Sequence, residues 1–185
     1  MLLAAPDPRA VGSGRVGEPG AGRIGQTGPM RIYLPATAAD LRAEVISARA
    51  AHAATPALAQ ALPDEDEEGL EVSASLCAAD ASVLLLAEPG AQGLPDRRVV
   101  IAADVDPQVV RELAVTEEVL PGSVMVEAPV PWEDVAAVLV DEAGAQADVA
   151  LARVGDEEAF ERAADADLLW YDVVECDSLA DELGV

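Results

Sequence analysis

Aromatic residues are almost absent from this chain, and that limits what can fill a core. Phe160, Trp132, Trp170, Tyr33 and Tyr171 are the full set among 185 residues. Yet 51% of the sequence is apolar. The interior must therefore be built from Ala, Val and Leu, whose small members let a helix approach a sheet or another helix closely. A chain of this length supports a single well-buried core.

The charge is as lopsided as the core. There are 35 Asp and Glu against 11 basic residues, a net charge of -24. Every basic residue is Arg, and His52 is the only histidine. Without lysine, a Schiff base, a lysine nucleophile and a P-loop are excluded. The acidic surplus repels phosphate backbones and anionic membranes, so neither nucleic acid nor membrane is an expected partner. No apolar run comes near the ~20 residues that cross a bilayer. Met1 to Ala5 lacks a positive flank and runs into Pro6 and Pro8, which is no secretory signal. Cys77 and Cys176 have neither metal-ligand spacing nor a nearby cysteine, so no zinc site is expected. Two free thiols in a cytoplasmic protein are the reading that follows.

Residues 1–29 are crowded with Gly and Pro and carry Arg9, Arg15 and Arg23 against Asp7 and Glu18. Such a segment buries too little surface to offset its ordering entropy, and we expect it to be unstructured. A translation start at Met30 would explain it as a mis-assigned leader. The segment contains a literal GxGxxG, Gly12-Ser13-Gly14-Arg15-Val16-Gly17. A dinucleotide fingerprint needs a strand before it and a helix after it. Pro-rich sequence and Glu18-Pro19-Gly20 stand there instead, so no nucleotide site is expected.

From Met30 a single domain, 30–185, is expected. Met30 to Pro35 reads as a strand. Thr37-Ala38-Ala39-Asp40 is a capping box, and Leu41, Val45, Ala48 and His52 then share one helical face. Thr55-Pro56 opens a second helix. Asp64 to Glu68 leads into the longest helix, about Glu67 to Ala87, where carboxylates suit the positive end of the dipole. In that helix Leu70, Ala74, Cys77, Ala81 and Leu84 form one stripe. Val72, Leu76, Ala79, Val83 and Leu86 form an opposed one, with Ser75 and Ser82 on a polar edge. Two stripes predict a helix covered on two sides, since a surface helix needs only one.

Arg98 to Ala103 is a near-continuous apolar run, as in a central strand covered on both faces. Asp106-Pro107 is expected to start a short helix, and Pro121-Gly122 to make a turn. Ser123 to Val130, Ala137 to Val140 and Leu168 to Val174 read as further strands. Trp132 to Val135 reads as one helical turn, Asp141 as the cap of a helix, and Glu157 to Ala163 and Ser178 to Leu183 as short helices. Strands clustered among helices predict an α+β fold. About five strands would be packed with the helices, in a ferredoxin-like arrangement with an extra strand.

Three stretches also carry a resemblance. They are Met30 to Thr37, Arg97 to Val105, and Leu168-Leu169-Trp170-Tyr171-Asp172. Residues 30–185 resemble an uncharacterised actinobacterial family whose members open on a Met-Arg-Val-Tyr-Leu/Val-Pro strand and close on Leu-Leu-Trp-Tyr-Asp. The lysine-free composition suits a high-GC genome. The resemblance implies no activity, cofactor or catalytic residue.

Candidate chemistry is thin. Five adjacent acids, Asp64 to Glu68, lack the alternation and the turning glycine of a calcium loop, and read as a solvated helix entrance. His52 has no Ser, Cys or Asp at a catalytic spacing and reads as a partly buried helix-end residue. Asp104 and Asp106 follow a central strand without a partner base, as strand-end caps. Trp170, Tyr171, Asp172 and Tyr33 are the candidate binding residues, because Trp and Tyr anchor interfaces. In a strand, Trp170 and Tyr171 face opposite sides of the sheet. With so few rings available, core packing is the competing role for them, with Tyr33 beside them.

The leading functional expectation is a non-enzymatic interaction or regulatory domain with an unidentified protein partner. The alternative is a small-ligand-binding protein or an enzyme without a recognisable motif. A third class, an acidic decoy of nucleic acid, needs carboxylates in a row on one surface, and here they are scattered.

Overall fold

The computed structural model describes residues 28–185. The expected unstructured tail, 1–29, lies outside that range except for Gly28 and Pro29, and the GxGxxG string lies wholly outside it. The described fold is α+β, and its sheet has seven strands, not five. In chain order the strands are β1 (Met30–Ala36), β2 (Val45–Ile46), β3 (Ala50–His52), β4 (Val99–Val105), β5 (Val110–Glu112), β6 (Ser123–Val126), β7 (Val130–Pro131), β8 (Val135–Asp141) and β9 (Leu168–Tyr171). The large sheet has the order β5-β6-β3-β1-β4-β8-β9, and β2 pairs with β7 separately. Every registered pair is antiparallel.

The helices are α1 (Pro56–Ala61), α2 (Glu67–Ala87), α3 (Gln146–Ala152), α4 (Glu157–Ala164) and α5 (Cys176–Leu183). Their starts follow local chemistry. Thr55 Oγ1 accepts from the Leu58 amide, with Pro56 in the first position. Asp66 and Asp156 cap α2 and α4 through the amides of Gly69 and Ala159. Each satisfies a donor that the helix leaves orphaned.

The stretch from Ala38 to His52 is not the expected helix. Thr37 and Asp40 do form the capping box, but it opens only a short 3-10 turn, Ala38–Arg42. Arg49 then clamps the Asp40 carboxylate at 2.7 Å, and β3 runs between β1 and β6. Pairing on both sides of β3 outweighs the helical preference of its alanines. Three further expected elements shorten. Pro107–Val109 is a 3-10 turn followed by β5, the strand from Ser123 stops at Val126, and the one from Leu168 stops at Tyr171.

The sheet has two buried faces. Ile32, Leu34, Ile101, Val138 and Val140 pack with Leu179 and Ala180 of α5 on one. Tyr33, Val100, Ala102 and Ala137 pack with Ala74, Ala78 and Ala79 of α2 and Leu58 of α1 on the other. Leu86, further along α2, joins Ala145, Val149 of α3 and Ala163 of α4. The sandwiched element is thus the sheet, not α2. Helix α2 buries one face, Ala74, Ser75, Ala78, Ala79, Ser82, Val83 and Leu86, and leaves Val72, Leu76 and Leu84 exposed. Ser82 belongs to the buried face, where its hydroxyl donates to the Ala36 carbonyl at 2.7 Å and accepts from the Val99 amide at 3.1 Å. Ser75 is buried too, its hydroxyl returned to the Val72 carbonyl. By length and hydropathy alone α2 also reaches the dimensions of a membrane span, contrary to the expectation that no segment would.

Candidate functional site

Two places on the domain gather unusual side chains, and they lie apart. The first is on the α2 face of β1. Arg31 donates to both carboxylate oxygens of Asp104 on β4, at 2.7 and 2.9 Å, as the Arg31–Asp104 register requires. Asp104 is therefore a strand residue in an ion pair. The pair raises the Arg31 pKa and lowers that of Asp104. Next to it, the Tyr33 hydroxyl donates to Glu71 Oε2 of α2 at 3.2 Å. Burial, reinforced by that carboxylate, pushes the Tyr33 phenol up to about 12. A cleft of about 460 Å³ opens here, lined by Met30, Arg31, Ala54, Glu67, Glu71 and Asp104. Its guanidinium is already paired, and so is the neighbouring Tyr33 phenol. A phenol this reluctant to ionise is no general base at neutral pH.

His52 pairs with Tyr33 across β1 and β3. It is a strand residue, not the end of a helix. Burial lowers its pKa, and its buried Nδ1 has no partner among the described residues. Its folded-state pKa thus lies below the ordinary value of 6.5. The stability it contributes as a neutral ring is complete above that value and is lost as pH falls through the depressed folded pKa. In urea titrations, His52→Gln should therefore gain on the wild type as the pH is taken from 7.5 to 5. A constant difference between the two proteins would show that His52 does not titrate across the transition.

The second place is the outer edge of the sheet. Among the described residues strand β9 is bonded only to β8, with Leu139 opposite Trp170 and Val140 opposite Leu169. The Glu142 amide donates to the Asp167 carbonyl, and the Asp141 amide to the Arg98 carbonyl on β4. Bonded and non-bonded pairs alternate in an antiparallel ladder. Leu169 and Tyr171 consequently bond to β8, while Leu168 and Trp170 turn their N–H and C=O groups outward. The side chains alternate as well. Tyr171 packs into the α5-side core, whereas Trp170 is 61% exposed and Leu169, on the opposite face, 43% exposed. Tyr171 thus lies against the core, and the Trp170 ring stands in solvent. Asp172 caps the turn after the strand, accepting from the Val174 amide at 3.0 Å. Tyr33 does not join this group. Strands β4 and β8 stand between β1 and β9, a separation of ~14 Å at the usual strand spacing.

Residues 30–180 match a family described only as a family of unknown function, DUF6912. The chain belongs to that family. The match runs from the first residue of β1 into α5 and includes both places just described. No curated protein and no solved structure matches the chain.

The DUF6912 domain holds its β9 edge through a buried ion pair that the sequence did not announce. Arg98 at the start of β4 and Asp141 at the end of β8 are both fully buried. Asp141 accepts from the Arg98 amide at 2.7 Å and from its Nε at 2.9 Å. The same guanidinium reaches Asp80 of α2 and the Ala166 carbonyl just before β9. Asp141 is thus no helix cap, and α3 has no side-chain cap. Cys77 and Cys176 lie on helices against opposite faces of the sheet, too far apart for a disulfide within the domain. Among the described residues no group of three or more His, Cys, Asp and Glu is placed to hold a metal.

Proposed function

We propose that the domain is a protein-interaction module that works through the edge of β9. One observation carries this reading: Leu169 and Trp170 are exposed on opposite faces of an edge strand whose outward backbone groups are unpaired among the described residues. Proteins usually blunt such edges with charge, proline or cover, because an open apolar edge recruits other strands. The opposite edge is blunted in that way. Strand β5 carries Arg111 and Glu112, and Arg111 is paired with Glu127. Strand β9, Leu168-Leu169-Trp170-Tyr171, has no charge and no proline.

The absence of nucleic-acid and membrane partners belongs to the same proposal. Arg97-Arg98, the only adjacent basic pair in the sequence, is buried. It adds nothing to a phosphate-binding surface. The small-ligand alternative rests on the cleft at Arg31, whose one guanidinium is already held by Asp104.

Site-specific photo-cross-linking in native cells tests the module. A photoreactive phenylalanine analogue at position 169 should give discrete protein adducts, and the same analogue at position 111 on the β5 edge should not. A Trp170→Ser substitution should remove most of the adduct from position 169. Equal adducts from both edges, or none from either, would refute the reading.

A further inference from the structure

Charge restricts what can occupy the β9 edge. From Ala163 to Val185 the chain has no basic residue. Asp165 and Asp167 precede the strand, Asp172 and Glu175 follow it, and all four are exposed. The Arg side chains elsewhere in the described residues are held by carboxylates or carbonyls, so the domain supplies no free guanidinium to neutralise them. Both ends of the open edge are therefore negative, and its middle is apolar.

Resting on the interaction-module reading, we propose that β9 is extended by a strand from a partner protein with a short apolar centre and Arg or Lys at both ends. The backbone of Leu168 and Trp170 would supply the ladder, as in strand addition to other open sheets. Alternate apolar residues of the incoming strand would meet Trp170 on the α2 face and Leu169 on the α5 face. Its basic ends would lie against Asp165 and Asp167 at one end and Asp172 and Glu175 at the other. An incoming guanidinium can also stack on the exposed Trp170 ring.

A second copy of this chain fits the edge poorly. Antiparallel self-pairing sets the Asp165–Asp167 end of one copy against the Asp172–Glu175 end of the other, twice, with no cation of the described residues at either place. Like charges brought together across a ladder destabilise it. The same acids account for how an apolar edge can stay open without self-association.

Fluorescence anisotropy with the full chain and synthetic peptides tests this. The probe is a dye-labelled Arg-Arg-Val-Val-Val-Arg-Arg, whose centre is apolar on both faces of the strand, and its control replaces every Arg with Glu. The arginine peptide should bind, more weakly as salt rises, and the glutamate peptide should not. N-methylation of one alternate set of peptide amides should weaken binding by about tenfold or more, as two lost hydrogen bonds imply. Methylation of the other set should have little effect. Leu169→Arg should abolish binding and Arg111→Glu, on the opposite edge, should not; both sites are exposed, and thermal melts check that both variants fold. Equal binding of the two peptides, or indifference to both methylation sets, overturns the proposal. No peptide binding with position-169 cross-links intact overturns the partner's chemistry and leaves the module standing. Self-association in sedimentation that Leu169→Arg removes makes a second copy the occupant and overturns it as well.

Discussion

Replacing Asp141 with alanine is expected to destabilise the domain by about 3–5 kcal/mol, the usual cost of removing one partner of a buried ion pair. The substitution strands the Arg98 guanidinium in a fully buried site and orphans the Arg98 amide that donates to the same carboxylate. Asp80 cannot take over. It stands 3.5 Å from Arg98, and its side chain is partly in solvent, while burial already raises its pKa against the opposing pull of Arg98. Asp141→Asn should cost less, because the amide oxygen can still accept from the Arg98 main chain. Arg98→Met combined with Asp141→Leu should recover much of the loss, since an apolar pair needs no desolvation. Urea midpoints at unchanged slope would measure each step. A loss below about 1 kcal/mol for Asp141→Ala would mean that Arg98 finds water or another acceptor. The pair also ties β4, β8, α2 and the approach to β9 together, so the same variant should loosen the β9 edge. Amide exchange at Leu169 and Tyr171 that accelerates over the wild type by more than exchange in β1 does would show it.

The elements legible in the sequence were those whose identity is set locally. Strands β1, β4 and β8 announced themselves as apolar runs. The start of α2 followed from the acids Asp64 to Glu68, and α1 from Thr55-Pro56. What was not legible depended on partners distant in sequence. Ala50–His52 carries no strand signal of its own and becomes one because β1 and β6 lie on either side of it. Asp141 before a helix reads as a cap in any window of local sequence, and only the fold brings Arg98 to it from 43 residues away.

The candidate site was half legible. The Leu-Leu-Trp-Tyr segment was visible, and so was the opposition of Trp170 and Tyr171 across the strand. Scarcity of aromatics argued that both rings would be spent on packing. That argument missed that β9 closes the sheet, and an outermost strand has fewer neighbours to cover its rings. Leu169 carries no signal of its own, because a leucine in a strand is ordinary. Its exposure is informative only beside Trp170 on an unpaired edge.

Leu86→Ala is expected to cost about 2–5 kcal/mol, and Leu76→Ala, ten residues earlier on the same helix, less than about 1 kcal/mol. Leu86 is fully buried among α3 and α4 residues, whereas Leu76 is 41% exposed. Hydrophobicity alone does not separate the two, which is why α2 read as a helix with two apolar stripes. Size separates the faces. Over most of its length α2 meets the sheet through Ala74, Ser75, Ala78, Ala79 and Ser82, because only small residues let it settle over Tyr33, Val100 and Ala102. The larger Val72, Leu76 and Leu84 are left on the outside. Ala78→Leu should accordingly cost about 1–3 kcal/mol by overpacking that contact. Denaturant midpoints for the three variants would rank them. If Leu76→Ala cost as much as Leu86→Ala, the outer face of α2 would have to be covered in solution, and the helix would be two-sided after all.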